Sequence, residues 1–205
     1  MPHRLTTRLL LVRHAESLSN AAERLQGSGD DPLTSRGEEQ AHQLGAWLQT
    51  NGSRIHALFS SPLRRAQRTA DIIGAVLGLP VQTRPGLREI GIGTLEGTDM
   101  ATWRATIKSG TYTPCQGGEA PYDFVERALG TLHGLLAANE DRTILVITHG
   151  AVISAALAYW VDRNTLHWSH YATTQNTAVS ELLFGERVEL VRYNDTSHLA
   201  EELVF

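Results

Sequence analysis

The chain has 205 residues, of which 41% are hydrophobic and 20% are charged, and its formal net charge is −4. These values are typical of an ordinary globular protein and allow one domain with a sizeable core. The acidic balance and the lack of a long basic block argue against nucleic acid or an anionic membrane surface as a partner. No apolar run approaches the length of a transmembrane helix. The only cysteine, Cys115, has no partner for an internal disulfide and favours a reducing compartment, so we expect a cytoplasmic location.

Short apolar runs alternate with longer amphipathic stretches, which is typical of an α/β layer fold. Arg8 to Val12 is continuously apolar after the arginine, as in a buried parallel strand. Ser35 to Glu38 has the spacing of a capping box, and the amphipathic helix behind it is expected to end at Asn51 and Gly52. Ile55 to Phe59 predicts a second strand, followed by another helix with an apolar stripe.

The second half of the chain has further patterned segments. Thr143 to Ile147 predicts a third buried strand, and Gly150 to Trp160 predicts an apolar helix directly behind it. Ala178 to Phe184 and Val188 to Tyr193 predict a hairpin or paired late strands. Residues 98–121 are rich in glycine and proline, and we interpret them as a lid. The expected fold is a single three-layer αβα domain over residues 1–205, with a mostly parallel central sheet and this lid.

Two histidines come directly after predicted strands. Arg13 and His14 follow the first strand, and His149 follows the third, where Gly150 opens a helix. Ligands of open α/β sheets bind beyond the carboxyl ends of the strands, so the two histidines would converge if their strands are neighbours. The free N–H groups at the start of the Gly150 helix would add partial positive charge that suits an anion.

These motifs resemble a known family. The run around Arg13 and His14 is similar to the signature of the histidine phosphatase superfamily, also called phosphoglycerate mutase-like. One position departs from the family pattern, because Ala15 stands where glycine is usual. The resemblance covers almost the whole chain in the family's order, through Leu11 to Asn20, Gln26–Gly27, Ser60 to Ala70, Leu87 to Gly97 and Thr148 to Gly150.

The resemblance implies a metal-independent phosphatase that works through a phosphohistidine on His14. Arg13, Arg64 and His149 would surround the phosphoryl oxygens, since arginine holds two oxygens at once and stays charged. It assigns the proton donor to Glu89, which requires a raised pKa, rather than to nearby Glu96. Substrate-binding roles are expected for Asn20, Gln26, Gly27 and Gly150.

Two local expectations follow from the same motifs. The attacking nitrogen of His14 must be unprotonated, so its other ring nitrogen is expected to donate to a backbone carbonyl. At helical spacing Arg68 shares a face with Arg64, and we expect Arg65 to turn away from the site. The other histidines lack metal-ligand spacing, so we expect no metal and no cofactor.

Three functions are compatible with these motifs. A phosphomonoesterase acting on a small phosphorylated metabolite is favoured, because the chain is short and residues 98–121 make a modest lid. The alternative is a cofactor-dependent transferase of the phosphoglycerate mutase type. A catalytically weak phosphate-binding regulatory module is the third, although such a module has no need of Glu89. The apolar segment Ala155 to Trp160 would support a homodimer.

Overall fold

The computed structural model describes residues 6–51, 54–102, 116–165, 171 and 174–203. Its strands are β1 (Thr7–Arg13), β2 (Ala57–Ser60), β3 (Val81–Thr83), β4 (Thr143–Thr148), β5 (Val179–Phe184) and β6 (Val188–Asp195). Its helices are α1 (Leu18–Ala21), α2 (Ser35–Asn51), α3 (Arg64–Leu77), α4 (Pro121–Ala137) and α5 (Gly150–Trp160). Short 3-10 helices occupy Pro85–Leu87, Gly93–Leu95 and Glu201–Leu203.

The strands form one sheet in the order β3-β2-β4-β1-β5-β6. The first four strands in this order are parallel, and β5 and β6 pair antiparallel. The predicted mostly parallel sheet is therefore confirmed. β1 and β4 are direct neighbours, with Arg13 in register with Thr148, so the polar residues that follow these strands meet at one edge.

Helices cover both faces of this sheet, which confirms the three-layer αβα architecture. On one face, Leu9 and Leu11 of β1 belong to a core shared with α4 and α5. On the other face, Leu10 and Val12 pack with α2 and α3. β1 and β4 are buried from both sides, which explains why their sequences are continuously apolar instead of alternating.

Helix α4 is the longest of the elements that the sequence analysis does not predict. It begins at Pro121, in the first helical turn, where a missing N–H costs nothing. Its buried residues recur at helical spacing and fill the core beneath the sheet: Phe124, Ala128, Leu132 and Leu135. Of the expected lid, residues 103–115 lie outside the described residues, so the lid stays a prediction.

Helix α5 matches its predicted bounds. Ala155 to Ala158 are fully buried in the core of their own chain, so these residues are not available to a second copy. The last two residues of the predicted segment, Tyr159 and Trp160, are exposed and partly buried, respectively, and the homodimer stays a prediction. Across the described segments, every helix falls short of the length and apolar character that a membrane span requires.

Candidate active site

Two histidines converge at the carboxyl ends of β1 and β4. The backbone N–H of His14 donates to the carbonyl of Thr148 at 2.9 Å, which extends the ladder between the two strands by one bond. The ring centroids of His14 and His149 lie 5.2 Å apart, and both side chains are buried. The convergence predicted from the sequence is therefore found, because the two strands are neighbours.

The hydrogen bonds of His14 define its protonation state. Its Nδ1 lies 2.7 Å from the carbonyl oxygen of Ala15, which can only accept, so Nδ1 carries the proton. The Nε of Arg65 donates to Nε2 of His14 at 3.1 Å, so Nε2 carries a lone pair. Burial, with the charges of Arg65 and Arg13, holds the pKa of His14 well below its usual range. The expected bond to a backbone carbonyl is confirmed, and Nε2 is the ring nitrogen that keeps a lone pair.

Alanine fits at position 15 in place of the family's usual glycine. Ala15 is absent from the positive-φ residues of the described chain, so it needs no glycine-like backbone. Its N–H donates to Oγ1 of Thr69 at 3.0 Å. Its methyl group is fully buried beside Ala41 and Ile72. The replacement therefore leaves the backbone of His14 in place.

The structure contradicts the predicted placement of Arg64 and Arg65. The side chain of Arg64 is exposed, whereas Arg65 is only 1% exposed and reaches His14. The reason is the orientation of α3, whose buried face includes Arg65, Ala66 and Thr69. Arg64 does share a helical face with Arg68, as expected, but that face points to solvent. Arg65 therefore takes the place in the site that the sequence analysis gives to Arg64.

Two backbone carbonyls hold the guanidinium of Arg65 in position. Its two terminal nitrogens donate to the carbonyl oxygens of Gly27, at 2.9 Å, and of Gly29. Burial lowers the pKa of Arg65 to about 10, which leaves it charged at neutral pH. Gly27 has φ +51°, and a Cβ there would lie 2.4 Å from Cγ1 of Ile92, so only glycine fits. Gly27 thus serves the site through its backbone.

The carboxylate of Glu96 braces the same loop. It accepts hydrogen bonds from the backbone N–H of Ser28 at 2.9 Å and from its hydroxyl at 2.8 Å. Gln26 is buried next to this loop, and its side-chain amide donates to Asp31 at 3.3 Å. Glu96 thus lies behind the carbonyl groups that hold Arg65.

Glu89 lies at the N-terminus of α5. Its two carboxylate oxygens accept from the N–H of Ile90 at 3.0 Å and from the N–H of Ala151 at 3.3 Å. Burial raises the pKa of the Glu89 carboxyl, and these N–H groups and the charges of Arg65 and Arg13 oppose that rise. The same helix start places Gly150 beside His149. A carboxyl group that keeps its proton to a higher pH than an ordinary glutamate therefore lies at the anion-attracting end of α5.

His149 has one occupied and one unpartnered ring nitrogen. Its Nε2 lies 2.7 Å from Oγ of Ser61, a fully buried residue that follows β2. Its Nδ1 is buried and has no hydrogen-bond partner among the described residues. Burial, with the charges of Arg65 and Arg13, holds the pKa of His149 well below its usual range. An orphaned buried nitrogen beside a nucleophile indicates a place for a ligand atom.

A turn from the far end of the chain supports the end of β1. Arg13 donates to the carbonyl of Thr174. The amide of Asn176 donates to the carbonyl of His14 at 2.9 Å and to Oδ1 of Asn20 at 3.1 Å. The sequence analysis assigns no site role to Ser61 or Asn176, because neither residue type signals a site by itself. Their positions after β2 and before β5 are the signals that were available.

The expectation of no metal concerns the grouping of His, Cys, Asp and Glu side chains, and it stays a prediction. In the part of the chain that the structure describes, no three or more His, Cys, Asp or Glu side chains are grouped so that they would hold a metal ion. Arg13 and Arg65 bring positive charge to the site. Burial lowers the pKa of both, and at about 10 the pKa of Arg65 still leaves this side chain charged at neutral pH.

Comparison with known proteins agrees with this geometry. The curated protein named "Probable phosphoglycerate mutase GpmB" from Erwinia tasmaniensis is 34% identical over 156 residues, which cover 72% of each chain. The solved structure of a mycobacterial glucosyl-3-phosphoglycerate phosphatase aligns with a TM-score of 0.80 at 26% identity, covering 92% of this chain and 99% of that one. A mutant phosphoserine phosphatase from Entamoeba histolytica, in complex with phosphoserine, aligns with a TM-score of 0.81 at 27% identity, covering 95% and 100%.

The family model agrees over a longer stretch. The model described as "Histidine phosphatase superfamily (branch 1)" matches residues 9–196, which run from the third residue of β1 to the residue after β6. Both histidines, Arg65 and Glu89 fall inside the match. The chain belongs to the histidine phosphatase superfamily, branch 1.

Proposed function

We propose that this protein hydrolyses phosphomonoesters of small metabolites through a phosphohistidine on His14. The observation that carries the proposal is the neutral, buried His14, whose Nε2 lone pair faces the guanidinium of Arg65. Nucleophilic catalysis needs an unprotonated atom held in a fixed direction, and the bond from Nδ1 to Ala15 supplies the direction. A phosphoryl group on Nε2 would lie beside the guanidinium of Arg65, which could then donate to its oxygens.

The reaction has two steps. In the first, Nε2 of His14 bonds to phosphorus, the bond from phosphorus to the ester oxygen breaks, and Glu89 gives its proton to that oxygen. In the second, water attacks the phosphohistidine, Glu89 takes a proton from the water, and the electron pair of the N–P bond returns to Nε2. The raised pKa of Glu89 supports both roles, since the group must hold a proton first and accept one later.

The remaining residues would hold the phosphoryl oxygens. Arg13 and Arg65 supply charge-assisted donors, and the start of α5 at Gly150 supplies partial positive charge. Losing one such donor typically lowers the rate by about two to three orders of magnitude. Oδ1 of Asn20 already accepts from Asn176, so the NH₂ of Asn20 is the group that would reach substrate. Gln26 and Gly27 act through the loop that holds Arg65.

Two named relatives support hydrolysis of a phosphomonoester. The mycobacterial and amoebic structures carry the names of a glucosyl-3-phosphoglycerate phosphatase and a phosphoserine phosphatase. The curated relative carries the name of a mutase, which supports the alternative of phosphoryl transfer within a three-carbon acid. The identity of the metabolite is left to experiment, because residues 103–115 of the proposed lid lie outside the described chain.

A screen of phosphorylated metabolites, ranked by kcat/KM, tests the proposal. We expect release of inorganic phosphate, its loss in His14→Ala, and its retention in the control His42→Ala, an exposed histidine of α2. Full activity of His14→Ala would exclude the mechanism. Incubation with 3-phosphoglycerate separates the alternative, because a mutase forms 2-phosphoglycerate in place of free phosphate.

A chelator tests whether a metal takes part, and vanadate tests the phosphoryl-transfer mechanism. We propose that activity is metal-independent, so turnover should persist in EDTA and should be inhibited by vanadate, which mimics the transferred phosphoryl group. Loss of activity in EDTA that added metal restores would contradict metal independence.

The cytoplasmic location predicted from the sequence also stays a proposal.

A phosphate-binding regulatory module without turnover is the third candidate. Such a module needs the positive charge of Arg13 and Arg65 but has no use for a carboxyl with a raised pKa. Measurable turnover that Glu89→Gln abolishes would therefore exclude it. Phosphate binding without turnover in the wild-type protein would instead favour it over the hydrolase.

A further inference from the structure

The hydroxyl of Ser61 is built into the support of His149. Ser61 follows β2, and its backbone N–H donates to the carbonyl of Ile147 at 3.0 Å, which holds it beside β4. The residue is fully buried. Its Oγ lies 2.7 Å from Nε2 of His149, and it accepts a hydrogen bond from the backbone N–H of Leu63 at 3.3 Å.

The bonds of Ser61 indicate which way its proton points. A hydroxyl has one proton to donate and two lone pairs to accept with. Leu63 occupies a lone pair of Oγ, and among the described residues the one remaining partner of Oγ is Nε2 of His149. A buried O–H without an acceptor is costly, so the Ser61 proton is directed at Nε2.

We propose that Ser61 is a positioning residue that fixes the tautomer of His149. A hydroxyl that donates to Nε2 requires a lone pair there, and the neutral ring then carries its proton on Nδ1. That Nδ1 is the buried atom without a partner in the described chain. The inference rests on the proposed function in one respect, since it takes the missing partner of Nδ1 to be a phosphoryl oxygen.

This tautomer gives His149 a function without a positive charge. An Nδ1–H donor attracts an anionic oxygen, whereas a bare Nδ1 lone pair would repel it. His149 would therefore be an electrophilic donor to the phosphoryl group while staying neutral at physiological pH. Residues that orient such groups typically contribute about 10–100-fold to activity.

Nitrogen NMR of the free enzyme tests the tautomer directly. In protein labelled with ¹⁵N in its histidines, two-bond ¹H–¹⁵N correlations distinguish a protonated ring nitrogen from a bare one. The signals of His149 are those that disappear in His149→Gln. We expect Nδ1 protonated and Nε2 bare at neutral pH. Protonation on Nε2 in the wild-type protein would overturn the proposal, whether or not any variant folds.

Ser61→Ala and its matched control complete the test. Ser60→Ala removes another fully buried hydroxyl, one that donates to the carbonyl of Ser61 and does not contact His149. We expect Ser61→Ala to lose the Nδ1–H pattern and to bind inorganic phosphate about 10–100-fold more weakly, and Ser60→Ala to keep the pattern. An unchanged pattern in Ser61→Ala contradicts the proposal. Because the free enzyme is observed, this outcome is separate from any failure to detect phosphohistidine or turnover.

Discussion

Arg64 and Arg65 are neighbours in the sequence, yet only Arg65 reaches His14. A motif with two adjacent arginines does not itself say which one faces inward. The apolar stripe of α3 does, because Arg65 lies four residues before the buried Thr69. His14 is easier to select from the sequence, since it is the only histidine in its motif, whereas the motif of Glu89 also contains Glu96. Arg65 is held by the backbone carbonyl groups of Gly27 and Gly29. Every residue has such a group, so the sequence does not indicate these contacts.

The arginine pair gives a matched test at the residue scale. Arg65→Ala should lower kcat/KM by about 10²–10³-fold, because it removes a buried donor from the phosphoryl site. Arg64→Ala should stay within about twofold of wild type, since exposed side chains away from a site have small effects. Steady-state kinetics on the best substrate measures both. A larger loss in Arg64→Ala than in Arg65→Ala would restore the arrangement predicted from the sequence.

We expect Glu89 to set the alkaline limit of activity. Its folded pKa is raised, so its protonated form persists to higher pH than in an ordinary glutamate, and kcat/KM should fall as the pH rises through that folded pKa. Glu89→Gln should lose this limb and about 10²–10⁴-fold in rate. With p-nitrophenyl phosphate, whose leaving group needs no proton, it should release a burst of nitrophenol and then stall at hydrolysis.

Glu96→Gln provides the comparison for that profile. Glutamine keeps an oxygen that accepts from Ser28, so the loop is preserved and the alkaline limb should remain. Disappearance of the limb in Glu96→Gln, with its retention in Glu89→Gln, would assign the acid to Glu96.

At the scale of elements, the turn before β5 holds the end of β1 in place. Its Thr177 N–H donates to the carbonyl of Arg13 at 3.0 Å, and its Asn176 amide donates to the carbonyl of His14 at 2.9 Å. Thr177 has φ +58°, a conformation that is strained for a β-branched residue. Such strain persists where the surroundings over-determine it, which here are the bonds to β1.

Asn176→Ala tests this support. It leaves the buried carbonyl of His14 with only the longer bond from the N–H of Thr177, at 3.4 Å. The loss of the side-chain donor should lower the free energy of unfolding by about 1–3 kcal/mol and kcat by about 10–100-fold. Gln175→Ala is the control, because its backbone N–H, which donates to Asn194, survives the change. Urea unfolding and steady-state kinetics measure both effects. Wild-type kcat in a folded Asn176→Ala protein would contradict the claim that this bond supports activity.

The elements differ in how well their sequences predict them. β1, β4 and α5 are short apolar runs in the sequence. Each of their ends in the structure lies within one residue of the predicted end. α4 carries a clear helical spacing from Phe124 to Leu135, but it directly follows a segment rich in glycine and proline, which favours an irregular interpretation. The turn before β5 is unpredictable for another reason, since its role depends on strand order.

At the scale of the whole molecule, three histidines with lowered pKa values should make the fold sensitive to acid. Burial holds the pKa of His14 and His149 well below the usual range and lowers that of His198 to about 4. Below about pH 6.5 these histidines are protonated in the unfolded chain but stay neutral in the native state. The free energy of unfolding therefore decreases as the pH is lowered. Each histidine contributes up to about 1.4 kcal/mol per pH unit until its folded pKa is reached.

His198→Gln isolates one of these contributions outside the site. His198 lies 3.0 Å from Oγ1 of Thr177, and the glutamine amide can replace its N–H there. Between about pH 6 and 5 the free energy of unfolding should therefore decline less steeply than in wild type, by up to about 1.4 kcal/mol per pH unit. Urea unfolding across this range measures the slopes. Parallel slopes for the two proteins would contradict the low pKa of His198.

Trapping the intermediate tests the central claim most directly. The enzyme is mixed with a ³²P-labelled phosphomonoester, quenched in alkali within one turnover, and digested to locate the label. We predict an acid-labile, base-stable phosphate on the peptide that contains His14, and no labelled peptide from His14→Ala. Label on another residue, or turnover with no phosphorylated enzyme at any quench time, would contradict the account.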